Sequence, residues 1–435
     1  MSSKYVGAFL SFILSMVPLS GRALTLEEGV KIAVEQGRDV RISQSYEVAA
    51  RAAVTLTRSP WLPSVNVYGS QTWLQYQPIA KFATPQGLLE APESQDHFLS
   101  YGIQANQMLY DFGKTSSSIN AAQYGVTARQ IETQRTRNQA ALDFIVAYFD
   151  LLETEKLLQV AREEVKNVEA HKSDAEARYN AGIITKNEVL QADATLADSR
   201  QRLVSAENLH AFLASRVNSL LLRPLKEPVV IEEVKTHPAT GMTLDEAWAI
   251  AETESPELKD IDAQIAAKEQ NVQASQAEYL PTLYLSGGYA YTENKYQVYP
   301  GNWSLMAGVN INLFAGGATS SKVSIAMSEL RSLKLTRDKM LDSIRLAVEN
   351  AYLDLQSSQQ KIEVTKTAIT SAQENLRLQR LRYHEGVATA TDELDAVTLM
   401  TTAETNSWKS LYGVGRAEAQ LLYSMGRDLA SMYRQ

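Results

Sequence analysis

From Phe314 to Gly426 the chain runs without a proline, and a stretch of that length rich in Ala, Leu, Glu, Gln, Lys and Arg reads as helix. Its one interruption is RYHEGVATATDELDA, Arg382 to Ala396, where Gly386 stops one helix and Thr389 starts the next. The run is therefore a helical hairpin with its tip near Gly386. Its longer arm, Gly317 to Tyr383, spans on the order of 100 Å at about 1.5 Å per residue, which no single globular core requires.

The same object occurs earlier in the chain. RYNAGIITKNEVLQA, Arg178 to Ala192, matches the tip segment at a constant offset of 204, which also aligns AYFDL at Ala147 with AYLDL at Ala351. Nearer the N-terminus the offset is 218: LTLEEGVKIA at Leu24 matches MTLDEAWAIA at Met242, and WLPSVNV at Trp61 matches YLPTLYL at Tyr279. The difference of 14 residues falls between Trp73 and Phe98, where QPIAKFATPQGLLEAPESQ reads as a loop insertion. The chain is thus a tandem duplication with one insertion. Its parts are a secretory signal at 1–23, a first repeat at 24–222, a connector at 223–241, a second repeat at 242–426 and a C-terminal tail at 427–435.

The signal reading rests on Lys4, the apolar run VGAFLSFILSMV, the helix-breaking Pro18, and the small residues Gly21 and Ala23 before the expected cut. The apolar run is too short to span a bilayer as a helix. Removing the segment takes away Lys4 and Arg22 and no acid, so a net charge of −8 becomes −10; an acidic exported chain is a poor partner for nucleic acid. No cysteine is present, which excludes a disulfide framework and any thiolate metal site.

Thr25 to about Ser59 reads as one helix, opened by a Thr25/Glu28 capping box that Thr243/Glu246 repeats. After it the period changes to two. Val65, Val67 and Trp73 alternate with Asn66, Ser70 and Thr72, and Leu283, Leu285, Tyr289 and Tyr291 alternate with Ser286, Gly288, Ala290 and Thr292. The returning segments do the same: Tyr101, Ile103 and Ala105 against Gly102, Gln104 and Asn106, then Leu305, Val309, Ile311 and Leu313 against Gly308, Asn310 and Asn312. These are two β-hairpins, at about 64–110 and 282–314, apolar on one face and polar on the other. Four strands cannot close a barrel, which needs about eight, and an open sheet with an apolar face leaves edges that soluble proteins avoid. Several chains must therefore share one barrel. A soluble sandwich leaves the very long helices unexplained.

Each hairpin leads through YDFGK or LFAGG into a long arm. In the first arm Ala147, Leu151, Thr154, Leu158, Ala161, Val165, Val168 and Ala175 form a narrow seam of small and aliphatic residues; Ala351, Leu355, Ser358, Ile362, Thr365, Ile369, Ala372 and Leu376 form its counterpart. Such seams are coiled-coil seams, and their small members let helices lie side by side in a tube wall. The connector, with three prolines and a short VVI, reads as an extended strap against the helices.

Enzymatic signatures are missing: the five histidines, His97, His171, His210, His237 and His384, lack metal-ligand spacing, and there is no GxSxG, P-loop or dinucleotide fingerprint. The reading is no enzyme and no cofactor. The tips carry the remaining signal. Thr185 with Glu188 and Thr389 with Asp392 have capping-box spacing at the start of each return helix. Asp395 stands out because its repeat partner is the neutral Gln191, and Asp392 and Asp395 share one helix face. In a symmetric assembly that pair becomes a ring of carboxylates at one end of a tube; the bland alternative is two solvated first-turn acids.

The duplicated layout, the TLEEGVKIA start, WLP before the first strand, YDFGK after the second and the paired RYxxGxxT tips resemble the TolC family of outer-membrane efflux and type I secretion channels, over essentially all of Leu24 to Gly426. The resemblance implies a mostly helical homotrimer with a membrane β-barrel part: a 12-stranded barrel in outer-membrane lipid and a 12-helix periplasmic α-barrel, four strands and four long helices from each chain. It also implies docking on an inner-membrane transporter through a periplasmic adaptor. Adaptor contact falls on the tips, Arg178, Tyr179, Gly182, Ile183, Arg382, Tyr383, Gly386 and Val387. Asp392 and Asp395 match the residues that narrow the tunnel, and Tyr383 and Glu188 match links that hold it closed. The family's basic latch position falls on Ala388, with Lys186 as a conceivable substitute. The function so implied is a passive exit duct, and the competing function is a periplasmic coiled-coil scaffold or adaptor that never inserts.

Overall fold

The computed structural model describes residues 23–234 and 241–433; the signal segment, but for Ala23, lies outside them. In chain order the elements are α1 (Leu26–Gln36), α2 (Arg38–Arg58), β1 (Ser64–Trp73), β2 (Ile79–Thr84), β3 (Gly87–Pro92), β4 (His97–Tyr110), α3 (Lys114–Asn180) and α4 (Lys186–Leu220). The second repeat continues with α5 (Leu244–Glu254), α6 (Pro256–Ala277), β5 (Thr282–Thr292), β6 (Gly301–Asn310), α7 (Ala318–His384) and α8 (Ala390–Ser424), and α9 (Leu429–Met432) closes the described chain. The offset of 204 holds at every end of the long helices: α3 and α7 are both 67 residues, α4 and α8 both 35.

Two expectations are corrected. The helix expected over Thr25 to Ser59 is two helices, broken at Gly37, where an added Cβ would lie 2.4 Å from the Ala33 carbonyl oxygen. In the second repeat Ser255 breaks the helix, because Pro256 pushes the residue before it into extended backbone. The insertion is also no loop: β2 pairs with β3 as a separate hairpin carrying a Lys81–Glu90 ion pair, giving six strands where four were expected.

The other four strands form one antiparallel sheet in the order β1-β4-β5-β6. Its register puts Val67 beside Ile103, Ile103 beside Tyr289 and Tyr289 beside Trp303 on one face. On the other face Gln104 donates to Asn106 Oδ1 and Ser286 Oγ, both at 3.3 Å. One face is thus apolar and the other a polar ladder, as the alternation predicts. The last strand ends at Asn310, so Ile311 and Leu313 lie beyond it rather than within it. Exposed aromatics collect at the helical end of the sheet (Trp61, Tyr110, Phe314) and at the far end (Trp73, Tyr299, Trp303).

Where the repeats meet, Phe144, Ile145, Tyr148 and Leu151 of α3 are buried beneath α1, α8 and α9. The connector joins them as an extended strap: Leu24 N–H donates to Val230 O at 2.8 Å, Glu232 N–H donates to Leu24 O at 3.1 Å, and the Tyr148 hydroxyl reaches both Leu24 O and Glu232 O. The first-arm seam from Ala147 to Ala175 is buried throughout, and the second is buried or half-buried. Gly29 of α1 lies flat on the Phe144 ring, with room for no side chain: an added Cβ would sit 1.9 Å from Phe144 Cζ. Gly29→Val should therefore lower stability by about 1–3 kcal/mol through overpacking, and adding Phe144→Leu should recover part of the loss in thermal unfolding.

Candidate functional site

Both long arms end the same way. Gly182 (φ 78°) and Gly386 (φ 72°) adopt left-handed backbone that L side chains avoid. Ile183 N–H donates to Arg178 O and Val387 N–H to Arg382 O, both at 2.9 Å, closing each helix with a Schellman turn. The turns leave Ile183 and Val387 as apolar points, 67% and 64% exposed.

The return helices begin differently. Thr389 and Asp392 form a full capping box: each backbone N–H donates to the other's side chain. The Thr389 backbone and hydroxyl hydrogen bonds hold the Asp392 carboxyl below its ordinary range. The matching box expected at Thr185 and Glu188 is absent, since Thr185 makes no side-chain cap and only its carbonyl accepts from Glu188 N–H. Thr25 caps Glu28 N–H, but the Glu28 side chain does not reciprocate, whereas Thr243 and Glu246 close the whole box. Asp395 is exposed and makes no ion pair or hydrogen bond among the described residues, so Asp392 and Asp395 present two carboxylates on the bare face of α8.

The two hairpins are joined just above the tips by a cluster that sequence reasoning only partly reached. Arg178, anchored by Asp174 at 2.8 Å, lays its guanidinium over the Tyr383 ring, 4.7 Å from the centroid. It also donates to the carbonyls of Tyr383 and His384 at 3.2 and 3.4 Å, capping the C-terminus of α7. Arg178 is thus the basic group that lies against Tyr383, and Lys186 makes no ion pair among the described residues. Tyr383 is 3% exposed, whereas its repeat counterpart Tyr179 is 41% exposed. Burial pushes the Tyr383 hydroxyl's pKa up against the opposing pull of Arg178. Among the described residues that hydroxyl has no hydrogen-bond partner, and the charge of Glu188 adds to the upward push.

His171 also lies against the Tyr383 ring, centroid to centroid 5.1 Å, its Nδ1 3.0 Å from Glu393 Oε2. The second Glu393 oxygen faces Arg380 Nε at 3.6 Å, and Arg380 donates to Asn167 at 2.9 Å. Farther up the same α3–α8 joint, Arg416 bridges Asp150 (3.1 Å) and Glu153 (2.6 Å), and Lys156 sits over Trp408. Burial raises the Asp150 carboxyl's pKa even against Arg416 and Arg216. Neither His171 nor Glu393 was singled out as a site residue. Their signal was the one that marked Asp395, a break in the repeat: Asn375 stands opposite His171 and Val189 opposite Glu393. Among the described residues no group of three or more His, Asp or Glu could hold a metal ion.

The chain thus combines duplicated tips on long arms with a sheet that has one apolar and one polar face. The outer membrane efflux protein family model matches residues 30–212 and 249–427, and the chain belongs to that family. Outer membrane protein TolC of Vibrio cholerae is 23% identical over 97% of this chain and 95% of its own length. Outer membrane efflux protein BepC of Brucella suis is 24% identical over 62% of this chain and 60% of its own. Among solved structures, CusC matches with a TM-score of 0.77 at 18% identity over 92% of each chain. VceC of Vibrio cholerae matches with 0.77 at 16% identity over 93% of this chain and 96% of its own. The chain is accordingly an outer-membrane efflux protein with its helical arms in the periplasm, and its relatives are channels rather than enzymes.

Two outcomes follow from the tip geometry. A double-mutant cycle on His171 and Glu393, read by hydrogen exchange around the tips, should return a coupling of about 0.5–3 kcal/mol. The depressed Asp392 carboxyl makes the cap complete above the unfolded-state range and loses it as pH falls through the lowered value. Hydrogen exchange in the first turn of α8 should therefore accelerate in acid below the ordinary carboxyl value of 3.8, and Thr389→Val should remove that dependence.

Proposed function

We propose that three copies join head to tail into one duct, a 12-stranded barrel continued by a 12-helix tunnel, with four sheet strands and four long helices from each chain. The observation that carries this reading is a difference in burial between equivalent positions. On α3, Leu142, Phe149 and Val160 are 5%, 2% and 8% exposed beside the rest of the chain; their α7 counterparts Leu346, Leu353 and Val364 are 67%, 51% and 68% exposed. Likewise Leu394 of α8 is 5% exposed and Leu190 of α4 is 56% exposed. The bare faces of α7 and α4 have the composition of a buried joint, and β1 and β6 end the sheet with unpaired edges. A heterologous contact between copies covers both at once and closes into a ring.

In that ring the apolar sheet face meets lipid and the polar ladder lines the pore. Solutes pass passively from an inner-membrane transporter through a periplasmic adaptor, and the energy comes from that partner. The adaptor seats on the tips, Arg178 to Ile183 and Arg382 to Val387, whose exposed Ile183 and Val387 suit apolar sockets. Asp392 and Asp395 of three chains form the narrow end, and low-dielectric helical walls focus their field. Tyr383, with Arg178 over its face and Glu188 nearby, belongs to the closed latch.

In planar bilayers the channel should prefer cations and be blocked by a trivalent cation. The double variant Asp392→Ala, Asp395→Ala should lose both properties while its trimer persists; retention of block in that variant moves the constriction elsewhere. Arginine at Val67 or Leu285 should cost about 2–4 kcal/mol near mid-bilayer, and arginine at Gln104 or Ser286 much less. Equal sensitivity of the two faces in an insertion assay would contradict a lipid-facing apolar side.

A further inference from the structure

We infer that each chain holds one glycerophospholipid of the periplasmic leaflet, with an acyl chain in a groove of the sheet and a primary-ammonium head group in a pocket at the start of α3. The inference rests on the apolar sheet face meeting lipid, as proposed above. That face is not evenly filled. Ala105 and Gly287 are cross-strand neighbours that leave a low floor, and Val65, Ile103, Leu285 and Leu305 stand around them. The open groove so formed has a volume of about 740 Å³. From the level of Gln107 to that of Ile103 it covers four residue steps, roughly 13 Å at about 3.3 Å per residue, or about half of an apolar band of about 25 Å. The groove therefore serves one leaflet, and its foot lies by Trp61 and Tyr110 at the helical, periplasmic end of the sheet.

At that foot the groove meets a second hollow, of about 510 Å³, and Gln107 lines both. The lining of the second is polar and aromatic, with Trp61, Tyr110, Asp111 and Ser116. Asp111 is 6% exposed; one carboxylate oxygen accepts from Thr115 N–H at 2.7 Å, and the other accepts no hydrogen bond among the described residues. Phe112 sets its ring against Tyr110, 4.8 Å between centroids, and holds a left-handed backbone, φ 52°, to do so. A carboxylate flanked by aromatic rings at a membrane interface is the setting that recognises an ammonium. Next along α3, Lys114 shares the single carboxylate of Glu278 with Lys322, at 2.9 and 2.7 Å, which leaves one positive charge in excess to meet a phosphate.

The second repeat supplies the comparison. At the offset of 204, Gln107, Asp111 and Phe112 become Ile311, Ala315 and Gly316, and Gly316 makes the same turn at φ 60°. Glycine adopts that backbone without strain, whereas a phenylalanine there costs free energy. The first repeat thus keeps a strained aromatic residue and a buried acid where the second makes the same strand-to-helix turn with neither. Folding alone does not call for them; a bound head group does.

Native mass spectrometry counts the lipid retained when the purified full chain is offered phosphatidylethanolamine and phosphatidylglycerol with identical acyl chains. One phosphatidylethanolamine per chain should persist, favoured at least fivefold over phosphatidylglycerol. Asp111→Asn, which keeps an acceptor for Thr115, should bring that ratio to within twofold of one without lowering the total bound. Ala105→Leu, which fills the groove, should cut retention of both lipids at least fivefold. Phe112→Gly, the residue that the second repeat carries at this turn, should leave the fold intact and lower phosphatidylethanolamine retention at least threefold. Equal retention of the two lipids by the wild type, a preference unchanged in Asp111→Asn, or full retention in Ala105→Leu overturns the inference. A separate measurement tests the lipid-facing sheet on which it rests: in liposomes with brominated acyl chains, Trp303→Phe should reduce the quenching of tryptophan fluorescence, since Trp303 stands on the apolar face. If Trp303 contributes no quenching, that face does not meet lipid and the reading of the sheet fails with the site. Quenching at Trp303 without a head-group preference sinks the lipid site alone.

Discussion

A chain of two repeats that cannot close on itself is the constraint from which the rest of the structure follows. Each repeat offers a sheet edge and a helix face to the next, and only one of the two junctions is satisfied inside the chain. At β4–β5 the strands pair and at α3–α8 the helices pack; at β1, β6, α4 and α7 the equivalent groups are left bare. An unpaired edge with an apolar face is a surface that association must cover. In the ring proposed above, the tandem repeat makes the missing partner a further copy of the same surface, so one interface design serves both junctions.

That economy explains why so much of the architecture is legible from residue pattern. The seam from Ala147 to Ala175 is buried as its three- and four-residue steps require, and the strand faces divide as period two requires. Both signals are local and repeated, so each repeat checks the other. What escaped was local structure without a repeat partner or with an ambiguous breaker. Ile79–Thr84 and Gly87–Pro92 set Lys81 and Glu90 among apolar residues on one face and keep the other face uncharged, so no clean alternation marks them, and their hairpin emerges only from pairing across the turn at Pro85 and Gln86. Gly37 inside an amphipathic run reads as a tolerated helical glycine, and only the close approach to Ala33 identifies it as a break.

The tip cluster was legible by half. Tyr383 and Arg178 stand in a conspicuous motif, yet the contact between them joins residues 205 apart in sequence and needs the packing of the α3–α4 hairpin against the α7–α8 hairpin to be seen. His171 and Glu393 lie inside ordinary-looking helix, where a histidine and a glutamate are unremarkable. Their mark is asymmetry: the repeat has Asn375 where His171 stands and Val189 where Glu393 stands, so the pair that joins the two hairpins has no equivalent in the other copy.

The cluster is also incompletely satisfied. Among the described residues the Tyr383 hydroxyl and His171 Nε2 are buried without a hydrogen-bond partner. The joint between the two tips therefore sets a few strong contacts, Arg178 on the α7 carbonyls and Glu393 on His171, beside these two polar atoms. Because the arms are 67 residues long, on the order of 100 Å, a small rotation where they leave the sheet becomes a large displacement at the tips. In the duct proposed above, a junction held by few directional contacts at the end of such a lever yields to a partner that offers comparable contacts to Ile183, Val387 and the arginines.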